Sequence, residues 1–127
     1  MLLSLRGRAH QVITAVALRA PDGTAFAGPV STDVWMRRYD DAEIEAYIAR
    51  GEPFDKAGAY AVQDRAFRPV ERLVGCHLAV IGLPLCEVAR GLRALGCAPV
   101  VRLAPLVPPC ALCRRGDELT GISPPAP

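Results

Sequence analysis

The chain has 127 residues, of which 51% are apolar and 22% are charged, and its formal net charge is +2. This length fits one domain with a hydrophobic core, and the apolar content excludes a disordered chain. The small net charge and the scattered arginines do not indicate a nucleic-acid partner, and no apolar run is long enough to span a bilayer. The five cysteines are odd in number and no export signal is evident, which predicts free thiols in a reducing cytoplasm.

The first elements predicted along the chain are the end of a helix and a β-hairpin. Residues 2–8 are typical of a last helical turn that is broken by a glycine. Residues 11–19 are rich in β-branched side chains, which favours a buried strand. A Pro-Asp-Gly turn at residues 21–23 then predicts an antiparallel return through residues 24–30, and residues 31–37 continue with strand-like alternation.

The next element is a helix with a clear start and a clear end. Asp40 and Glu43 form the pattern of a capping box, with Asp40 as the N-cap. Ile44 and Tyr47 follow at the spacing of one helix face, and Gly51 is placed to end the helix.

The second half of the chain gives weaker signals. Residues 62–74 are mixed, with strand character interrupted by a proline, and residues 78–81 predict a short apolar strand. Residues 85–95 have the apolar stripe of a helix, and residues 99–103 suggest an edge strand. Half of the twelve prolines lie in residues 105–127, which predicts an irregular tail.

The richest group of polar side chains follows the capped helix, in residues 51–63. Lys56 is the one lysine of the sequence, and its flexible ammonium group suits a phosphate oxygen. Glu52 and Asp55 could bind a divalent cation or could simply neutralise the lysine. The small residues 57–59 would let a ligand approach the backbone.

Two further side chains of this turn could recognise a nucleotide base. Tyr60 could stack on a base or pack in the core, and Gln63 carries both the donor and the acceptor needed to read the edge of a nucleobase. The structural alternative is a charged loop with a buried tyrosine and a hydrogen-bonded glutamine.

Three other groups of residues are candidates for chemistry. Arg6, Arg8 and His10 could contact a phosphate or could cap the end of a helix. His77 borders an apolar segment, where a partly buried structural histidine is the commoner case. A Cys-x-x-Cys pair at residues 110–113 suggests zinc or redox chemistry, but no second cysteine pair has suitable spacing. The sequence contains no P-loop, GxSxG or HExxH motif.

Three ordered segments resemble the motifs of the Maf family of nucleoside triphosphate pyrophosphatases. Residues 5–18 resemble its L(R/S)GRxHxVxTxVAL segment, and residues 52–63 resemble its EPxDKAGAYxIQ signature. Residues 80–85 resemble its VVGLPL motif. The three motifs occur in the family's order, and the resemblance spans residues 5–95.

This resemblance implies an α/β fold with an elongated, bent mixed sheet flanked by helices, as in Maf and ITPase proteins. It implies cleavage between the α- and β-phosphates of a nucleoside triphosphate with a divalent metal cation, Mg or Mn, as cofactor. The substrate-binding residues implied are Lys56, Gln63, Arg8 and Tyr60. Gln63 would select the base, as in the branch of the family that acts on dTTP and UTP.

The sequence also departs from the family pattern. The family's SxSPRR segment, its Asp-Thr strand with the general base and its Gly-Lys-Pro turn are not found in it, and Asp64 replaces the usual glycine. We therefore expect residues 1–104 to correspond to the C-terminal portion of a Maf domain, without the general base and without a metal ligand of their own. Residues 105–127 would form the tail.

Two functions follow as alternatives. The first is a pyrophosphatase that hydrolyses dTTP- or UTP-type nucleotides to the monophosphate and diphosphate. The second is a non-catalytic fragment, or a nucleotide-binding or interaction module. In either case we expect a nucleoside triphosphate as partner, no DNA or RNA, no membrane and a cytoplasmic location, and we leave a homodimer open.

Overall fold

The computed structural model describes residues 1–97, which form an α/β arrangement of three strands and four α-helices. The predicted fold class is therefore confirmed. One sheet contains the strands in the order β1-β2-β3. The strands are Ala9–Arg19 (β1), Ala25–Met36 (β2) and Val70–Val74 (β3), and the helices are Leu2–Leu5 (α1), Asp41–Ala49 (α2), His77–Ile81 (α3) and Leu85–Ala94 (α4).

Strands β1 and β2 form the predicted hairpin. The Ala20 N–H donates to the Thr24 carbonyl at 2.8 Å, and the Gly23 N–H donates to the Ala20 carbonyl at 3.0 Å. Gly23 has a φ of +92°, which a side chain would disfavour. So short a connection makes the two strands antiparallel. Strand β1 alternates between exposed and half-buried positions, with Val16 buried, so the prediction of a buried strand was too strong.

Strand β2 is continuous where the sequence suggested two segments. It pairs antiparallel with β3, and Trp35 lies opposite Arg72 in the register. The Arg72 guanidinium is 3.7 Å from the centroid of the Trp35 ring. The predicted alternation is confirmed, because Thr32, Val34 and Met36 are all buried.

The described residues form two compact units, residues 1–12 with 32–74 and residues 13–31 with 75–97. In the first unit an aromatic core lies beneath helix α2. The Phe67 ring is 4.5 Å from the Tyr47 ring and 4.9 Å from the Tyr39 ring, measured between centroids. The predicted capping box is confirmed at the start of α2.

The second unit has a small core of short side chains. Val30 of strand β2 packs with Cys76, Ala79 and Cys86, and all four are buried. The Thr14 hydroxyl donates to the Ala79 carbonyl at 2.7 Å, which ties β1 to helix α3 in this unit. Core thiols of this kind behave as small apolar side chains.

The prediction of a short strand at residues 78–81 was wrong, because these residues lie in helix α3. Four apolar residues are too few to show whether the period is that of a strand or of a helix. Buried Cys76 and Ala79 lie three positions apart, which suits one helix face. The Gly82 N–H donates to the Leu78 carbonyl at 3.0 Å, and Gly82 ends the helix with a φ of +133°.

The predicted helix at residues 85–95 is confirmed as α4. Its buried side includes a charged residue, Glu87, which the apolar stripe did not indicate. Glu87 is 9% exposed, and its carboxylate accepts from Arg90, with a distance of 3.0 Å to Nε. A Cβ at Gly28 would lie 1.7 Å from a Glu87 oxygen. The ion pair therefore fits against strand β2 only because Gly28 has no side chain.

None of the helices in residues 1–97 is long and apolar enough to cross a membrane. The predicted edge strand at residues 99–103, the tail at 105–127 and the cysteines of residues 110–113 lie outside the described residues. The predicted boundary at residue 104 therefore stays a prediction.

Candidate functional site

The turn predicted to carry chemistry follows helix α2 and is shaped by residues with positive φ. Gly51 has a φ of +76° and ends the helix, and Gly58 has a φ of +77° inside a short 3₁₀ turn, Ala57–Ala59. A Cβ at Gly58 would lie 3.1 Å from Cε1 of Tyr60. On this side, therefore, the missing side chain makes room for the Tyr60 ring, whereas the sequence suggested room for a ligand.

Lys56 is held by the two acidic residues of the turn. Its Nζ donates to Asp55 Oδ1 at 2.8 Å and to the Glu52 carbonyl oxygen at 2.7 Å, and Glu52 Oε2 is 3.3 Å away. The hydrogen bond to Asp55, together with that to Glu52, raises the pKa of Lys56. The ammonium group is thus charged but already compensated, and a phosphate would have to compete with two carboxylates.

Tyr60 is 6% exposed, and its hydroxyl is 2.9 Å from Nε2 of His10. The two rings meet edge to face, with centroids 5.6 Å apart. Burial raises the pKa of Tyr60 to about 12 and lowers the pKa of His10, so both groups are neutral near pH 7. His10 therefore adds no charge to the predicted cationic cluster. The Tyr60 ring packs in the core, and its hydroxyl joins the turn to strand β1.

Gln63 is exposed, and its side-chain amide has no hydrogen-bond partner among residues 1–97. The backbone on both sides of it is anchored. The Ala61 N–H donates to the Tyr47 hydroxyl at 3.1 Å, and the Asp64 carboxylate accepts from the Phe67 N–H at 2.6 Å. The turn therefore presents a free amide donor and acceptor from a fixed position.

Asp64 stands where the resemblance implies a glycine. Its carboxylate accepts hydrogen bonds from three groups and anchors the backbone after Gln63. Its Oδ1 accepts from the N–H groups of Ala66 at 3.0 Å and Phe67 at 2.6 Å, and its Oδ2 accepts from Arg50 at 2.7 Å. Burial opposes ionisation of this carboxyl, but the bonds from Phe67 and Arg50 outweigh it and hold the pKa of Asp64 below its usual value. The departure from the family pattern thus fixes the segment after Gln63.

The predicted arginine cluster does not cap the preceding helix. Arg6 forms an ion pair with Asp41 at the start of helix α2, while Arg8 is exposed. Arg6, Gly7 and Arg8 line a cavity of about 540 Å³, which Arg38, Tyr39 and Asp40 complete. Arg8 is therefore in a concave part of the first unit, and Arg38 is a cation that sequence analysis did not single out.

The described residues do not fit a metal site of their own. Residues 1–97 contain no group of three or more His, Cys, Asp or Glu side chains placed to hold a metal ion. Glu52 and Asp55, the predicted acidic candidates, are engaged with the ammonium group of Lys56. Within this part of the chain, the acidic side chains of the turn therefore neutralise Lys56.

One remaining candidate keeps its structural interpretation. His77 is half-buried at the start of helix α3, and no chemical partner is assigned to it. The pairing of His10 with Tyr60 could not be found from the sequence, because the two residues are fifty positions apart. The role of Asp64 had one signal, its replacement of a glycine, but the sequence did not show which groups it would bind.

Comparison with known proteins places these residues in a family. The family model for Maf-like proteins matches residues 1–95. A dTTP/UTP pyrophosphatase of Thermomicrobium roseum is 48% identical over 118 residues, covering 85% of this chain and 54% of that protein. A dTTP/UTP pyrophosphatase of Chromobacterium violaceum is 50% identical over 97 residues, covering 76% of this chain and 48% of that protein.

A third relative, a dTTP/UTP pyrophosphatase of Dehalococcoides mccartyi, is 41% identical over 99 residues, which are 77% of this chain and 44% of that protein. The chain thus spans about half the length of the curated relatives that it matches. The matched region contains the turn with Lys56 and Gln63, the segment with Arg8 and the strands between them. On the match over residues 1–95, the chain belongs to the family of Maf-like proteins.

Proposed function

We propose that the chain takes part in the hydrolysis of nucleoside triphosphates of the dTTP/UTP type to the monophosphate and diphosphate. Its described residues would supply nucleotide recognition. The relatives named above support the substrate class, since each is a dTTP/UTP pyrophosphatase. The family resemblance supports cleavage between the α- and β-phosphates and a requirement for Mg or Mn.

The observation that carries this proposal is the state of Gln63. Its amide is exposed and has no partner among residues 1–97, although the backbone beside it is fixed through Ala61 and Asp64. A primary amide offers donors and an acceptor side by side, which matches the N3–H and carbonyl edge of uracil or thymine. An unsatisfied amide on an anchored stretch of backbone is suited to selecting such a base, because binding the wrong edge leaves polar groups unpaired.

The other predicted site residues have distinct places in this proposal. Lys56 would exchange a carboxylate for a phosphate oxygen when the nucleotide binds. Tyr60 would act indirectly, because its buried hydroxyl holds the turn against His10. Arg8 would face the phosphate chain from the cavity.

The test is to incubate the 127-residue chain with UTP, dTTP or GTP and a divalent cation, and to separate the products by ion-exchange chromatography. Because the family's general-base segment is not found in the sequence, the expected result is binding of UTP in preference to GTP, and any turnover of UTP should give UMP and diphosphate. UDP with orthophosphate, or equal use of UTP and GTP, would contradict the proposal. A chain that binds UTP without converting it would instead support the alternative of a nucleotide-binding module.

The remaining expectations belong to the same proposal. They are a nucleoside triphosphate as the partner, no requirement for DNA, RNA or a membrane, and a location in the cytoplasm. A homodimer stays open. Sedimentation of the purified chain with and without UTP would decide the oligomeric state.

A further inference from the structure

The cavity in the first unit is built on a fixed backbone. The Gly7 N–H donates to the Arg37 carbonyl at 3.2 Å, and the Met36 N–H donates to the Arg8 carbonyl at 2.9 Å. The Tyr39 hydroxyl, which is buried, donates to the Leu2 carbonyl at 2.7 Å. These bonds hold the segment before β1 against the segment after β2, so the cavity walls do not depend on a ligand for their shape.

Gly7 brings a second arginine into this cavity. It has a φ of +63°, and a Cβ at this position would lie 3.0 Å from Cγ and 3.5 Å from Nε of Arg38. The stem of Arg38 therefore lies across the bare backbone of Gly7, next to Arg8. Two arginines that are thirty positions apart in sequence thus line one concavity.

The charges around the cavity leave these two arginines uncompensated. Arg6 is paired with Asp41, and the carboxylate of Asp40 accepts the N–H of Glu43 at 2.8 Å. Among residues 1–97, no carboxylate lies within ion-pair distance of Arg8 or Arg38. In contrast, Lys56 has two acidic partners within the turn.

We infer that the cavity lined by Arg8 and Arg38 is a binding site for a polyphosphate chain, with the two guanidinium groups as its principal cations. A volume of about 540 Å³ is in the range of small-ligand sites. Guanidinium groups bind phosphate oxygens through paired hydrogen bonds, and exposed arginines without carboxylates have no competing partner. The inference deepens the proposed function, on which it rests for the nucleotide, and it assigns the main phosphate contact to this cavity instead of to Lys56.

The experiment measures binding of inorganic tripolyphosphate to the full 127-residue chain by isothermal titration calorimetry. The variants are Arg8→Gln and Arg38→Gln, which remove the charge and keep most of the side-chain stem. Arg19→Gln is the matched control, because Arg19 is exposed at the end of β1, in the second unit, and has no ion-pair partner among residues 1–97. Circular dichroism of each variant checks that the fold is retained.

We expect Arg8→Gln and Arg38→Gln each to weaken binding by about tenfold or more, the usual size for one hydrogen bond to a charged group. The control should change binding by less than about twofold, the small effect expected for a screened surface charge. Equal weakening by all three variants would show unspecific attraction and would overturn the inference, as would unchanged binding in both cavity variants.

The same variants distinguish this inference from the proposed function. If UTP binds to both cavity variants as it does to the unaltered chain, the inference is overturned while the proposed function stands. If tripolyphosphate binding depends on Arg8 and Arg38, the inference is supported even when the chain shows no preference for UTP. That last result counts against the proposed function alone.

Discussion

At the scale of single residues, the contact between His10 and Tyr60 connects the turn of residues 51–63 to strand β1. The atoms Nε2 and Oη are 2.9 Å apart, and both side chains are largely removed from water. His10 Nδ1 is also buried and has no partner among the described residues. Of the two imidazole nitrogens, only Nε2 therefore has a hydrogen-bond partner. Without the Tyr60 hydroxyl, the imidazole would have no hydrogen bond within the described residues.

We predict that Tyr60→Phe lowers the free energy of unfolding by about 1–2 kcal/mol, because the ring stays in the core and a buried nitrogen loses its partner. Urea unfolding followed by circular dichroism measures this change. A double-mutant cycle with His10→Gln isolates the contact. If the changes in unfolding free energy from the two single substitutions add up to that of the double variant within about 0.3 kcal/mol, the hydrogen bond contributes nothing.

At the scale of elements, the segment after Gln63 depends on helix α2. Asp64 accepts from the backbone N–H groups of Ala66 and Phe67 and from Arg50, which follows the last residue of the helix. Arg50 also lies over the ring of Tyr47, 5.2 Å from its centroid. The end of the helix, the turn and the aromatic core are therefore joined through one carboxylate.

We predict that Asp64→Ala costs about 1–2 kcal/mol of unfolding free energy at pH 7, as for the loss of a capping side chain, and that Asp64→Asn costs less. Asparagine keeps an acceptor for the two N–H groups and loses the ion pair with Arg50. Because the pKa of Asp64 is lowered on folding, its ionisation stabilises the fold above its ordinary pKa of 3.8. This contribution is lost as the pH falls through the folded pKa.

Thermal melts of the chain and of Asp64→Asn at a series of pH values check this sign. The difference between the two proteins should be constant near neutral pH and should shrink below pH 3.8. A difference that grew on acidification would contradict the assignment, because protonation of Asp64 removes the charge that the asparagine variant lacks.

The signals that predicted structure from the sequence were local ones. The capping box at Asp40 and the turn before β2 each depend on a few neighbouring residues, and both are confirmed. Helix α3 was missed because its apolar run is too short to show a period. In the candidate site, the polar residues of the turn were found, but the cavity between Arg8 and Arg38 was not, because only the folded strands bring those residues together.

At the scale of the whole molecule, the residues proposed to recognise the nucleotide all belong to the first unit. Residues 1–12 and 32–74 contain the turn, the cavity and the aromatic core beneath helix α2. The second unit has its own core, around Val30 and Ala79. The central claim is that the first unit presents Gln63 as the reader of the base.

The most direct test is the ratio of the dissociation constants for CTP and UTP, measured by calorimetry with the unaltered chain and with Gln63→Ala. We predict that the unaltered chain prefers UTP and that Gln63→Ala reduces this preference by about fivefold or more, the effect of one lost hydrogen bond. Gln11→Ala, at another exposed glutamine of the first unit, is the control and should leave the ratio unchanged. A ratio that stays the same in Gln63→Ala would contradict the account.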